Sequence, residues 1–133
     1  MDIKTIRKYD KYSVSKLVQI AQRHFNKYIR QRDIYESCIS CGSSATLEAG
    51  HYYSAGHYPS LRFNEDNCAG QCRHCNRFLH GNLIEYRKGL ANKIGPHKIE
   101  ELDDIAAYYK RTGYKYDRLD LIEKIEIYKK ANK

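Results

Sequence analysis

The chain has 133 residues, 24 Lys or Arg against 16 Asp or Glu, and a formal net charge of +8. This length suits one domain, or one compact domain with helical arms. A mean hydropathy of −0.79 and the lack of any long apolar run exclude a membrane-spanning helix.

The N-terminus has no signal-peptide pattern, so a reducing cytoplasm is expected, where paired Cys-x-x-Cys motifs mean metal more often than disulfide. The basic balance points to a polyanionic partner, most simply nucleic acid, or else serves only solubility. The charge is uneven: residues 1–37 carry nine Lys/Arg against four Asp/Glu, residues 38–95 six against four, and residues 96–133 nine against eight. Three segments follow from this: a basic N-terminal arm and helix (1–37), a cysteine-rich core (38–95) and a C-terminal helical segment (96–133).

Residues 1–12 are polar and basic without periodicity, and read as an irregular lead-in. A helix is expected from Ser13, a suitable N-cap. Val14, Leu17, Val18, Ala21, Phe25, Tyr28 and Ile29 recur at helical spacing on one face. Lys16, Arg23, Lys27 and Arg30 fall in a narrow arc opposite, which is either a solvated face or a contact with the DNA backbone.

Residues 46–53 and 58–63 read as two short strands around the loop SAGHYP, and residues 64–67 as a turn. The next helix is expected to begin near Cys72 to Asn76 and to run to about Ile94, where Gly95-Pro96 stops it. Gly81 and Gly89 interrupt that pattern. A further helix covers about His97 to Arg111. The last starts at Asp117 and runs to about Ala131. Its apolar residues Leu119, Leu121, Ile122, Ile125, Ile127 and Tyr128 spread over more than one face, through core packing or contact with a second copy.

The chemistry concentrates between Cys38 and Asn82. Cys38/Cys41 and Cys72/Cys75 form two Cys-x-x-Cys knuckles that together supply four soft ligands for structural Zn²⁺. Thirty residues separate Cys41 from Cys72, more than the roughly 15–20 of a simple zinc ribbon. The extra length admits a β-hairpin and holds His51. Gly42 suits the tight turn of the first knuckle. Cys68 is the odd cysteine and reads as a buried free thiol.

Hydrolysis of a phosphodiester needs a base to activate water and a cation to neutralise charge. His51 suits the base, because its imidazole is neutral near pH 7. Asn76, held in place by Cys75, offers a hard carbonyl oxygen to Mg²⁺ or Mn²⁺. His80 lies four residues further on and would share a helical face with Asn76. Singly, these residues read as a surface histidine and a helix cap; their grouping around the zinc knuckles favours catalysis.

FNKYIRQRD, CISCG, AGHY, LRFNEDN, QCRHCN and GNLIEYRKGL, in this order over roughly residues 17–95, resemble the lambdoid phage NinG (Rap) family of recombination endonucleases. More widely the site is similar to HNH nucleases such as phage endonuclease VII. The resemblance implies a DNA endonuclease for Holliday junctions and D-loops. It assigns His51 as general base, Asn76 as the metal-binding Asn, Asn67 as the residue bracing the ββ loop, and the four knuckle cysteines as zinc ligands. Gly50 stands where many HNH sites carry Asp or His as a second metal ligand. Glu48 is a substitute whose side chain alternates away from His51 on a strand, and His80 stands where a small residue is usual.

The expectation is therefore an α+β fold: a zinc-stabilised ββα-metal (HNH-like) core with flanking N- and C-terminal helices. The expected function is phosphodiester hydrolysis in branched DNA, with Asn76, His80 and Glu48 as candidate cation ligands. Arg62, Arg73, Arg77 and Arg87 would hold the strand. A homodimer would supply two nicks to a two-fold junction, in the cytoplasm of an infected bacterium. The rivals are a non-catalytic zinc-ribbon DNA-binding module and an HNH nuclease that cuts ordinary duplex.

Overall fold

In the computed structural model, which describes residues 1–133, the first twelve residues are more ordered than their lack of periodicity suggests. They hold a short helix, α1 (Ile3–Arg7), capped by the Asp2 carboxylate, which accepts the Thr5 N–H at 2.8 Å. Helix α2 (Val14–Arg32) follows, with Ser13 as its cap: the Ser13 Oγ accepts the Lys16 N–H at 3.1 Å. Strand β1 (Leu47–His51), 3₁₀ turns at Pro59–Leu61 and Glu65–Asn67, strand β2 (Cys68–Cys72) and a π-helical turn (His74–Phe78) come next. Helices α3 (Leu83–Ile94), α4 (Pro96–Thr112) and α5 (Arg118–Ala131) complete the chain. The chain forms two compact units, residues 1–28 with 115–133, and residues 29–114. These boundaries differ from the 1–37, 38–95 and 96–133 segments read from charge and composition, because the two ends of the chain share one unit.

In the first unit the apolar stripe of α2 is buried except at its start, where Val14 is exposed: Leu17, Ala21 and Phe25 are inaccessible, as are Ile122 and Ile125 of α5. Phe25 meets Tyr128 edge-on, with ring centroids 5.1 Å apart. The Arg118 guanidinium donates to the Tyr12 and Tyr9 carbonyls at 2.6 and 2.5 Å. Asp117 caps α5 by accepting the Asp120 N–H at 3.0 Å. Leu119 and Ile127 are about half exposed, so α5 buries one face.

The second unit is built on a two-stranded antiparallel sheet in which Leu47 faces Cys72 and His51 faces Cys68. The second strand is thus Cys68–Cys72, not residues 58–63. Pro59 opens a 3₁₀ turn there, since it has no N–H to give a ladder. The expected continuous helix from Cys72–Asn76 to Ile94 is also broken. His80, Gly81 and Asn82 all take positive φ (51°, 92° and 42°), between the π-helical turn and α3. Cys75 anchors this break: its carbonyl accepts the Gly81 N–H at 2.8 Å and its Sγ the Asn82 amide at 3.5 Å.

Leu61, Ala69, Tyr86, Leu90, Ile99 and Leu102 form the core of this unit. Gly89, an unfavourable residue inside a helix, is explained by proximity. A Cβ there would lie 2.0 Å from the Ile39 carbonyl oxygen, so α3 meets the first knuckle backbone to backbone. Asp33, only 2% exposed, ties three elements together. Its carboxylate pairs with Arg32 and Lys93 at 2.8 Å and accepts the Gly70 N–H at 2.8 Å.

Candidate active site and metal centre

The sulfurs of Cys38, Cys41, Cys72 and Cys75 all lie within 4.8 Å of one another, with Cys41 and Cys72 at 3.7 Å. Four sulfurs about 2.3 Å from a tetrahedral zinc would be roughly 3.8 Å apart, so the set can hold a metal such as zinc. Gly42, at φ 76°, makes the turn that returns its N–H to the Cys38 carbonyl at 2.9 Å. The Cys75 N–H points at the Cys72 Sγ, 3.4 Å away. Burial raises the Cys38 thiol, but backbone N–H groups of Cys41, Cys72 and Ser40 outweigh it and pull the group down to about 7. Cys68 stands outside the cluster. It is a buried thiol pushed up to about 12, chiefly by burial.

Beyond this centre, β1 leads into a loop braced from inside. Asn67, fully buried, accepts the Tyr53 N–H at 2.9 Å and donates to the Tyr53 and Leu61 carbonyls at 3.0 and 3.1 Å. All three bonds hold backbone, so the side chain fixes the path of the segment that follows His51.

His51, Asn76 and His80 line one cavity of about 520 Å³, together with Tyr52, Tyr53 and Tyr58. The helical argument that placed Asn76 and His80 on one face does not hold, because the helix is broken at His80. The two residues nevertheless face the same space. The His51 Nε2 lies 2.8 Å from the Arg62 carbonyl oxygen. A carbonyl only accepts, so Nε2 carries the proton and the neutral ring keeps its lone pair on Nδ1. Burial lowers the His51 pKa below the ordinary value; the Arg62 carbonyl opposes this, and the nearby Arg62 charge adds to it.

The Asn76 amide donates to the Glu48 carboxylate at 2.9 Å, and Arg77 pairs with the same carboxylate at 2.7 Å. Burial would raise the Glu48 carboxyl, but Asn76 and Arg77 hold it below its usual range. Glu48 does not itself line the cavity.

The family model described as "Bacteriophage Lambda NinG protein" matches residues 2–133. The chain belongs to the NinG family. Protein ninG of Escherichia phage 933W is 43% identical over 88 residues, which cover 65% of this chain and 44% of the relative. Protein ninG of Escherichia phage lambda is 43% identical over 88 residues, 65% of this chain and 43% of the relative. Protein ninG of Salmonella phage P22 is 43% identical over 96 residues, 71% of this chain and 46% of the relative. The chain spans less than half the length of these curated NinG proteins. No solved structure matches. No helix is long and apolar enough to cross a membrane.

The basic residues of this NinG chain divide into two groups. Lys16, Arg23, Lys27 and Arg30 are exposed along α2, and Arg73 is exposed before the π-helical turn. Arg77 is engaged by Glu48, and Arg87 forms a two-pronged pair with Asp103 at 2.8 and 3.1 Å while also donating to the Tyr52 hydroxyl. Arg62 turns its carbonyl to His51. Three features escaped the sequence reading. The tyrosines of HYY and HY line the cavity; their clustering beside His51 was the available signal. Tyr86, inaccessible in the core, donates to the Gly50 carbonyl at 2.6 Å. Gln71, also inaccessible, lies opposite Glu48 in the sheet, and nothing in the motif spacing singled it out.

Proposed function

We propose that this NinG-family chain carries a ββα-metal, HNH-type nuclease site and hydrolyses phosphodiester bonds in branched DNA. The observation behind this reading is that a neutral, half-buried His51 and the Asn76 amide line one cavity next to a four-cysteine cluster. The order strand, Asn67-braced loop, strand and Asn76-bearing turn fits that nuclease class. Zn²⁺ on Cys38, Cys41, Cys72 and Cys75 is structural here, since Cys75 fixes the adjacent Asn76.

His51 takes a proton from the attacking water through Nδ1, its Nε2–H being committed to Arg62. Asn76 would hold Mg²⁺ or Mn²⁺ through its carbonyl oxygen, with His80 on the same cavity and the Glu48 charge beside it; such a cation neutralises charge on the phosphate and the departing oxygen. The tyrosines give sugar and base a surface to lie against, and the exposed cations of α2 and Arg73 suit the phosphate backbone. Branched DNA as substrate, a homodimer as working form and the infected host's cytoplasm as location rest on the NinG (Rap) resemblance.

The test compares nicking of a four-way junction, a flap and a linear duplex, each with Mg²⁺ and with EDTA. Junction cutting that needs the cation is expected, and His51→Ala should slow it roughly 10²–10⁴-fold. A parent that binds DNA without nicking it would instead be a zinc-ribbon binding module. Equal cutting of linear duplex would make it an ordinary HNH nuclease. A His51→Ala protein that cuts the junction at the parental rate removes the proposed base.

A further inference from the structure

Gln71 holds the one buried side-chain oxygen of the second unit that accepts no hydrogen bond. The side chain is inaccessible to solvent, and its Nε2 donates to the Ser40 Oγ at 2.9 Å and to the Gly81 carbonyl at 2.6 Å. The second of these bonds fixes which way the amide faces. Turned over, it would set its oxygen against another carbonyl oxygen, two acceptors with no proton between them. A buried acceptor left without a donor is unfavourable and calls for an explanation.

The place where that oxygen lies supplies one. A Cβ built on Gly50 would fall 2.1 Å from the Gln71 Oε1, so the oxygen fills the space where a residue-50 side chain would begin. Gly50 immediately precedes the proposed base, His51. Gln71 faces Glu48 across the sheet, and Glu48 accepts from the Asn76 amide. Gly81, which anchors the Gln71 amide, lines the same cavity as His51, Asn76 and His80. Asn76 lines the cavity, whereas Glu48, its hydrogen-bond partner, and Gln71, the cross-strand neighbour of Glu48, lie behind it; the three carry oxygens of the kind that hard divalent cations take.

We infer that the Gln71 side-chain oxygen is a ligand of the catalytic cation, standing in for the side chain that Gly50 lacks. The inference rests on the nuclease reading above. It makes the absence of a side chain at position 50 part of the site: the glycine leaves room for the glutamine to reach across from β2. Neutral amide oxygens from Gln71 and Asn76 leave Glu48 as the nearby negative charge.

The experiment titrates the zinc-loaded protein with Mn²⁺ and follows the loss of the free-ion electron paramagnetic resonance signal, with zinc content and thermal unfolding recorded for every variant. The parent should bind one Mn²⁺ per chain. Gln71→Met, which keeps the volume and removes the oxygen, should weaken that binding at least the roughly tenfold that even an outer partner of a metal ligand contributes. Gly50→Ala should do the same without touching Gln71, because its methyl displaces the oxygen. Gly50→Asp combined with Gln71→Ala should restore Mn²⁺ affinity by providing a carboxylate from the other strand. If Gln71→Met loses its zinc, Gly50→Ala and the double variant decide. Parental Mn²⁺ affinity in Gly50→Ala or in a zinc-loaded Gln71→Met overturns the inference, and so does a double variant as weak as the single ones. A parent that nicks junctions and binds Mn²⁺ through Asn76 alone sinks only the role of Gln71. A parent that neither binds Mn²⁺ nor nicks sinks the nuclease reading with it.

Discussion

Two neighbours set the state of His51. Burial disfavours the charged ring, and the Arg62 carbonyl selects the tautomer by accepting from Nε2. In the proposed mechanism His51 works only when unprotonated, and its pKa lies below the ordinary 6.5. Activity should therefore be full at neutral pH and fall only as pH drops through that lowered value. In a profile of kcat/KM against pH, the acidic limb is expected to have its midpoint below 6.5; a midpoint above it would contradict the assigned environment. The bracing role of Asn67 was legible, since it stands in a motif of fixed order, and the same motifs singled out His51 as the proposed base. The tautomer was not, because it depends on a carbonyl eleven residues away that only the folded loop brings close. Gln71 was invisible for a similar reason: its meaning lies in the space above Gly50, which belongs to another strand.

Among the elements, α2 and α4 were readable because each combines a 3.6-residue apolar period with a cap or a stop, and α5 because Asp117 caps an apolar-rich run, even though that run is not confined to one face. Ser13, Asp117, Gly95 and Gly113 all serve at the helix ends. Strand β2 was not readable. CAGQC is buried on every residue, so it lacks alternation, and it is made of small or polar residues with little strand preference. Asp33 links β2 to Arg32 and to α3. Burial alone would raise its carboxyl, but Arg32, Lys93 and the Gly70 N–H hold it down at about 2. Asp33→Ala leaves two partly buried cations and a buried N–H without their partner, and should cost about 3 kcal/mol in denaturant unfolding at pH 7. The sign with pH follows from the lowered value. The contribution is complete above the ordinary carboxyl pKa of 3.8 and disappears as pH falls through about 2. An Asp33→Ala protein as stable as the parent at pH 7 would show that the ion pairs only balance their desolvation.

For the molecule as a whole, the four-cysteine cluster and helices α2, α4 and α5 were foreseeable; α1, the break ahead of α3 and the division into units were not. Charge and composition change along the sequence, whereas the unit formed by residues 1–28 and 115–133 is defined by contacts between the two ends of the chain. Residues 29–114 have one small core and one two-stranded sheet. A sheet of that size is marginal by itself, and structural zinc contributes on the order of 10 kcal/mol in small domains. Chelating the zinc, or Cys72→Ser, should therefore abolish hydrogen-exchange protection of β1, β2 and α3. Protection that survives complete zinc removal would show that the sulfur cluster is dispensable for folding.

The glycine at position 89 has a mechanical corollary. With no methyl to hold them apart, α3 and the first knuckle rest main chain on main chain, like a bolt seated in its keep. A knuckle that opens withdraws the surface on which that helix rests. The helix carries Tyr86, whose hydroxyl clasps the residue before the imidazole. Loss of the ion from the sulfur cage would thereby reach the backbone just ahead of His51, the proposed base, through a lever of main chain and one hydroxyl.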